Sequence, residues 1–108
     1  MNTRIESLLN FLREDPDDSF VLYSLAQEYT RVGNVDEGRR YYHRLRQNNP
    51  GYIALYYHLG KLEESAGNPE VALEVYRDGI QRSADAGDHH TLGELKGALQ
   101  LLEFELDE

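Results

Sequence analysis

Apolar residues recur along this chain at spacings of three and four, the signature of helices with one greasy stripe. Ile5, Leu8, Leu9 and Leu12, with Phe11 at the stripe's edge, predict a helix over residues 3–14 that stops at Asp15-Pro16. Leu22, Leu25, Ala26 and Tyr29 predict a second, opened by Asp17-Asp18-Ser19, any of which is a suitable cap, and running to about Val32. A third, from about Asp36 to Gln47, carries Tyr41, Tyr42 and Leu45 and is broken by Asn48-Asn49-Pro50-Gly51. Tyr56, Leu59 and Gly60 mark a fourth. Gly67 offers a helix-ending left-handed position, Asn68 an N-cap and Pro69 a first helical residue whose missing N–H costs nothing. The fifth helix then places Val71, Ala72, Val75, Tyr76 and Gly79 on one face. Residues 84–88 read as a loose connection, and a last helix runs from His89 or Thr91 to about Leu106. No stretch alternates at period two, so no strand is expected.

The fourth and fifth helices repeat the second and third at an offset of 34 residues. Leu25 and Leu59 correspond, as do Ala26 and Gly60, Gly33-Asn34 and Gly67-Asn68, Gly38 and Ala72, and Tyr42 and Tyr76. Asn34 with Glu37 reads as a capping box. A fixed period with helix-turn-helix content signals a stacked array. On these residues the chain resembles the tetratricopeptide repeat family, whose pattern is an aromatic, Leu-Gly, Tyr, a small residue after the turn, a second aromatic and a closing Pro. One copy supplies Leu25, Ala26, Tyr29, Gly38, Tyr42 and Pro50; the other supplies Tyr56, Leu59, Gly60, Ala72 and Tyr76. The departures are Leu22 at the first aromatic position, Glu63 opposite Tyr29, and Ala84 opposite Pro50.

The resemblance implies an all-α fold, a short right-handed solenoid of antiparallel helix pairs within a single domain of residues 1–108. Two full repeats, 19–50 and 52–84, would be flanked by capping helices at 3–14 and 89–106. It further implies a non-enzymatic protein–protein interaction module that holds a peptide segment in a concave groove. The groove positions would be Phe20, Tyr23, Gln27, Thr30 and Arg31 in one helix and Ala54, Tyr57, Lys61, Glu64 and Ser65 in its counterpart. Aromatic residues outside a core are effective interface anchors. Some family members grip a chaperone's C-terminal carboxylate with Lys and Asn on this face; here Tyr23 and Gln27 stand at those positions, so that activity does not carry over.

Charge and composition narrow the remaining functions. The net charge of −9 disfavours nucleic acid and anionic membrane and favours a basic partner. The absence of Cys excludes disulfide and thiolate chemistry and fits a reducing, cytoplasmic interior. The stretch up to Asp15 has Glu and Asn among its apolar positions, unlike a signal peptide. No Gly-rich phosphate loop and no nucleophile elbow is present, so no catalytic site is expected. Arg39, Arg40, Arg44 and Arg46, with His43, form a basic run that reads first as a solvated helix face. His89 and His90 lie near acids, but adjacent helical positions point about 100° apart, so neither metal nor cofactor binding is expected. His58 lies beside the groove positions as a group that titrates near neutrality. The stripe Leu92, Leu95, Leu99, Leu102 and Leu106 gives an alternative function, homodimer assembly through the last helix.

Overall fold

The computed structural model describes residues 2–108. Six helices, and no strand, occur among the described residues: α1 (Thr3–Glu14), α2 (Ser19–Arg31), α3 (Val35–Asn48), α4 (Ala54–Ser65), α5 (Pro69–Ala86) and α6 (His89–Leu106). They gather into two compact units, one ending at Tyr52 and one beginning at Ile53. The division falls where the second sequence copy starts.

In the first unit, α1 begins at Asn2, whose side chain accepts a hydrogen bond from the Ile5 N–H at 3.0 Å. Its buried stripe, Ile5, Leu8 and Leu12, packs against α2. Among the three candidate caps of α2, Asp18 serves, accepting from the Val21 N–H at 3.1 Å. Asn34 caps α3 by accepting from the Glu37 N–H at 3.3 Å. The Glu37 carboxylate, however, turns to Arg40 at 3.0 Å. Leu22, Leu25, Ala26 and Leu45 are completely buried and Tyr41 and Tyr42 nearly so. Each such leucine contributes on the order of 2 kcal/mol by leaving water. Tyr29 is only half-buried and lies flat on Tyr41, with ring centroids 5.6 Å apart. The end of α3 is tied back to the α1–α2 turn: Arg44 donates to the Pro16 carbonyl at 2.7 Å, Asn48 to Asp17 at 3.1 Å, and Asn49 to Ser19 at 3.0 Å.

In the second unit, α5 packs against both α4 and α6, and α6 also meets α4. Gly67 ends α4 at φ 81°, as its position predicts. Asn68 precedes α5 but makes no side-chain cap; its amide instead donates to the completely buried Glu63 at 3.0 Å. A buried carboxylate demands a partner, and that demand outweighs the cap. Two tyrosines and two glycines interlock. Tyr76 of α5 lies over Gly60 of α4, where an added Cβ would stand 2.1 Å from the ring. Tyr56 of α4 lies over Gly79 of α5, where a Cβ would stand 2.6 Å from the tyrosine Cβ.

The expected loose connection over 84–88 is mostly helix. Alanines at 84 and 86 are strong helix formers, so α5 runs on to Ala86. Gly87 then turns the chain at φ 70°, a region that strains other residues, and Asp88 starts α6 at once. Asp88 accepts from both the N–H and the hydroxyl of Thr91, at 3.1 and 2.8 Å. Of the α6 leucine stripe, Leu95 and Leu102 are buried and Leu92 and Leu99 half-buried, while Leu106 is 46% exposed.

Two carboxylates tie pH to stability. The bonds from Thr91 hold the Asp88 carboxyl below its ordinary range. The hydrogen bond from Arg31 does the same for Glu28, reinforced by Asn2 and Arg4. A lowered folded-state pKa stabilises the fold above the unfolded value and is lost as pH falls through the folded one. Thermal melts are therefore expected to fall steadily below about pH 4. A midpoint unchanged between neutral pH and pH 3 would contradict these assignments.

Candidate functional site

The positions read from the sequence as groove residues divide between α2 and α4. On α2, Phe20 stands out from the surface at 65% exposure. Tyr23 is half-buried, its ring 6.2 Å from Tyr42 and 5.2 Å from Tyr52, and burial raises its phenol pKa. Gln27 donates to the Tyr23 oxygen at 3.0 Å. Two of the polar positions are occupied by their own helix: Thr30 donates to the Ala26 carbonyl at 2.7 Å, and Arg31 Nε donates to Glu28 at 3.0 Å. Glu28 is itself buried and also meets Arg4 at 3.5 Å, so Arg31 belongs to an internal ion-pair group.

On α4, Ala54 is exposed at the helix start and Tyr57 is half-buried beside His58, with ring centroids 5.9 Å apart. Lys61 lies 3.8 Å from Glu64 one turn on, and Ser65 donates to the Lys61 carbonyl at 3.2 Å. Glu64 accepts a hydrogen bond from the Tyr76 hydroxyl. Burial first, and then that bond, push the Tyr76 phenol well above its usual pKa; Tyr57 and Glu105 act in the same direction.

Tyr57 and Lys61 open onto a cleft between α4 and α6. Its volume is about 230 Å³, and its other walls are Gly93, Glu94, Gly97, Ala98 and Leu101 of α6. Gly93 and Gly97 leave it open: a Cβ built on either meets no atom within 4 Å. Sequence reasoning missed this half of the site, although a signal was present. With two residues inserted before α6, Leu95 corresponds to Leu59, and the same register sets Gly93 opposite Tyr57 and Gly97 opposite Lys61. The α6 positions equivalent to two long side chains are therefore bare backbone.

The other candidates resolve into local pairs. Arg39 lies 3.9 Å from Asp36, Arg40 pairs with Glu37 and covers the Tyr41 ring at 4.7 Å, and Arg44 holds the Pro16 carbonyl. His90 lies 3.4 Å from Glu94, and the Asp88 carboxylate is taken up by Thr91. Among the described residues, no group of three or more His, Asp or Glu is arranged to hold a metal ion. Among the described residues, no helix is long and apolar enough to cross a membrane.

Residues 19–62 match a family model described as tetratricopeptide repeat. The crystal structure of a tetratricopeptide repeat domain protein from Salinibacter ruber is 34% identical, with a TM-score of 0.76 over 80% of this chain and 96% of that one. The chain belongs to the tetratricopeptide repeat family. A further relative, TPR repeat-containing protein PA0015 of Pseudomonas aeruginosa, is 25% identical over 99 residues, covering 92% of this chain and 94% of its own length. The TPR2B domain of yeast Sti1, solved as a complex with pHsp70, has the same fold at a TM-score of 0.85 and 11% identity, over 94% of this chain and 81% of that one. The residues matched by the family model span α2, α3 and most of α4.

Proposed function

We propose that this chain is a non-catalytic protein-binding module whose second unit takes a peptide segment of a partner on the outward face of α4. In the second unit the segment enters the α4–α6 cleft, with Tyr57 as the aromatic wall, Lys61 at the rim, and Gly93 and Gly97 as the floor. In the first unit Phe20, Tyr23 and Gln27 offer an aromatic and amide surface of the same kind. The observation that carries this reading is the unfilled floor at Gly93 and Gly97. Two glycines in the middle of a helix each weaken it by about 1 kcal/mol relative to alanine. Their presence beside an aromatic wall leaves room for a side chain from elsewhere. The complex of the Sti1 TPR2B domain with pHsp70 supports a binding use of the fold.

The Gly97→Leu variant separates folding from binding. Because a Cβ there meets no atom within 4 Å and the position opens on the cleft, the helix gains on the order of 0.5–1 kcal/mol and the thermal midpoint stays level or rises. The cleft, however, is filled. Proteins retained from a host lysate by the wild-type chain and identified by mass spectrometry are expected to be lost with Gly97→Leu. An identical retained set on both would remove the cleft from the mechanism.

A further inference from the structure

The chemistry of the occupant can be read from what surrounds the cleft, taking the peptide-binding reading above as the starting point. Gly93, Gly97, Leu101 and Phe104 follow one another at i, i+4, i+8 and i+11, so they share one face of α6. This is not the face that carries Leu92, Leu95, Leu99 and Leu102 into the unit's interior. Leu101 is 54% exposed and Phe104 66% exposed, so an apolar track leaves the cleft and continues toward the end of the helix.

The ionisable groups along that track are mainly acidic. Glu94 lies in the cleft wall, and Glu105 falls on the same helical face beyond it. From α4, Glu64 adds a carboxylate against the Tyr76 hydroxyl, close to Lys61. The basic groups facing this region include Lys61, held 3.8 Å from Glu64, His90, held 3.4 Å from Glu94, and His58, whose burial lowers its pKa and favours the neutral form against the opposing charge of Glu94. Glu103 points elsewhere, to Arg77 of α5 at 3.3 Å, and does not count toward the track. Three carboxylates, Glu64, Glu94 and Glu105, thus stand against one lysine along an apolar strip. A second copy of this chain would bring the same carboxylates face to face, whereas a cationic segment would meet opposite charge along the whole length.

We propose that the cleft and track take a basic, amphipathic peptide: a bulky apolar side chain seated over Gly93 and Gly97, flanked by Lys or Arg residues that meet Glu94 and Glu105. Recognition combines an apolar anchor with charge matching, so it weakens as salt rises.

A phage-displayed library of random short peptides, selected on the wild-type chain and counter-selected on Gly97→Leu, tests this. The expected enrichment is for peptides with net positive charge around one large apolar residue. Their affinity, measured by fluorescence anisotropy, is expected to fall on the order of tenfold in the double variant Glu94→Lys, Glu105→Lys. Enriched peptides that are acidic or neutral, or that ignore the charge reversal, would overturn the basic-partner assignment while leaving the cleft as a peptide site. Failure to enrich any peptide sensitive to Gly97→Leu would overturn the cleft reading itself. Concentration-dependent self-association lost in Gly97→Leu, seen by sedimentation, would replace the basic peptide with a second copy.

Discussion

The Tyr76→Ala variant is expected to lose about 3–5 kcal/mol of unfolding free energy, as truncations of large buried aromatic residues do. Tyr76 is completely buried in α5, and its ring lies directly over Gly60 of α4. Because position 60 has no side chain, nothing on that helix can move in to fill the space. The hydroxyl is the lesser part: it donates to Glu64, which is partly exposed and regains water when the donor is removed. Tyr76→Phe is therefore expected to cost about 1 kcal/mol, a typical net value for one hydrogen bond. Urea denaturation of the two variants beside the wild type measures both numbers. Equal losses for Ala and Phe would show that the ring is not the stabilising part.

The second large effect is at the glycine itself. Gly60→Ala puts a methyl group 2.1 Å from Tyr76 Cε1 and within 2.7 Å of two further ring atoms. A rigid, enclosed ring cannot swing away, so α4 and α5 must separate. Overpacking of this sort costs about 1–3 kcal/mol, and the three close approaches place this site at the upper end. Alanine repays about 1 kcal/mol through helix propensity, leaving a net loss of about 2 kcal/mol. The two sites are in contact and must be coupled. In the Tyr76→Ala background the clash is gone, so Gly60→Ala is expected to change sign and stabilise by up to about 1 kcal/mol. A double-mutant cycle reads this directly; additive losses would mean that the ring does not rest on Gly60.

The helix pairs were legible because their signals are local and redundant. Gly67 and Pro69 fix the turn before α5, Tyr42 and Tyr76 mark equivalent core sites, and the 34-residue offset ties them together. Asn68 shows where local rules stop. As a cap it is favourable, but Glu63, completely buried five residues earlier, takes its amide. The same holds for Arg31, whose position suggested an open cation and whose actual partner is the buried Glu28. In both cases a buried carboxylate governs, and whether a given glutamate is buried depends on packing that spacing alone does not supply.

The candidate site was half legible. Tyr57 and Lys61 could be assigned to an outward face of α4, since that face is what the core stripe leaves over. Gly93 and Gly97 carry no side chain, so no pattern of residue types draws attention to them. Residues 84–88 read as a loop, which blurred the register that aligns them with α4.

Because Gly93 and Gly97 face vacant space, their identity is independent of the interior. A series from Gly through Ala and Val to Leu at these two positions would narrow the opening step by step with the supporting helices undisturbed. In the proposed binding mode, selectivity for the captured residue's size would therefore be retuned by two codons, and related chains carrying different residues there would sort their partners by bulk.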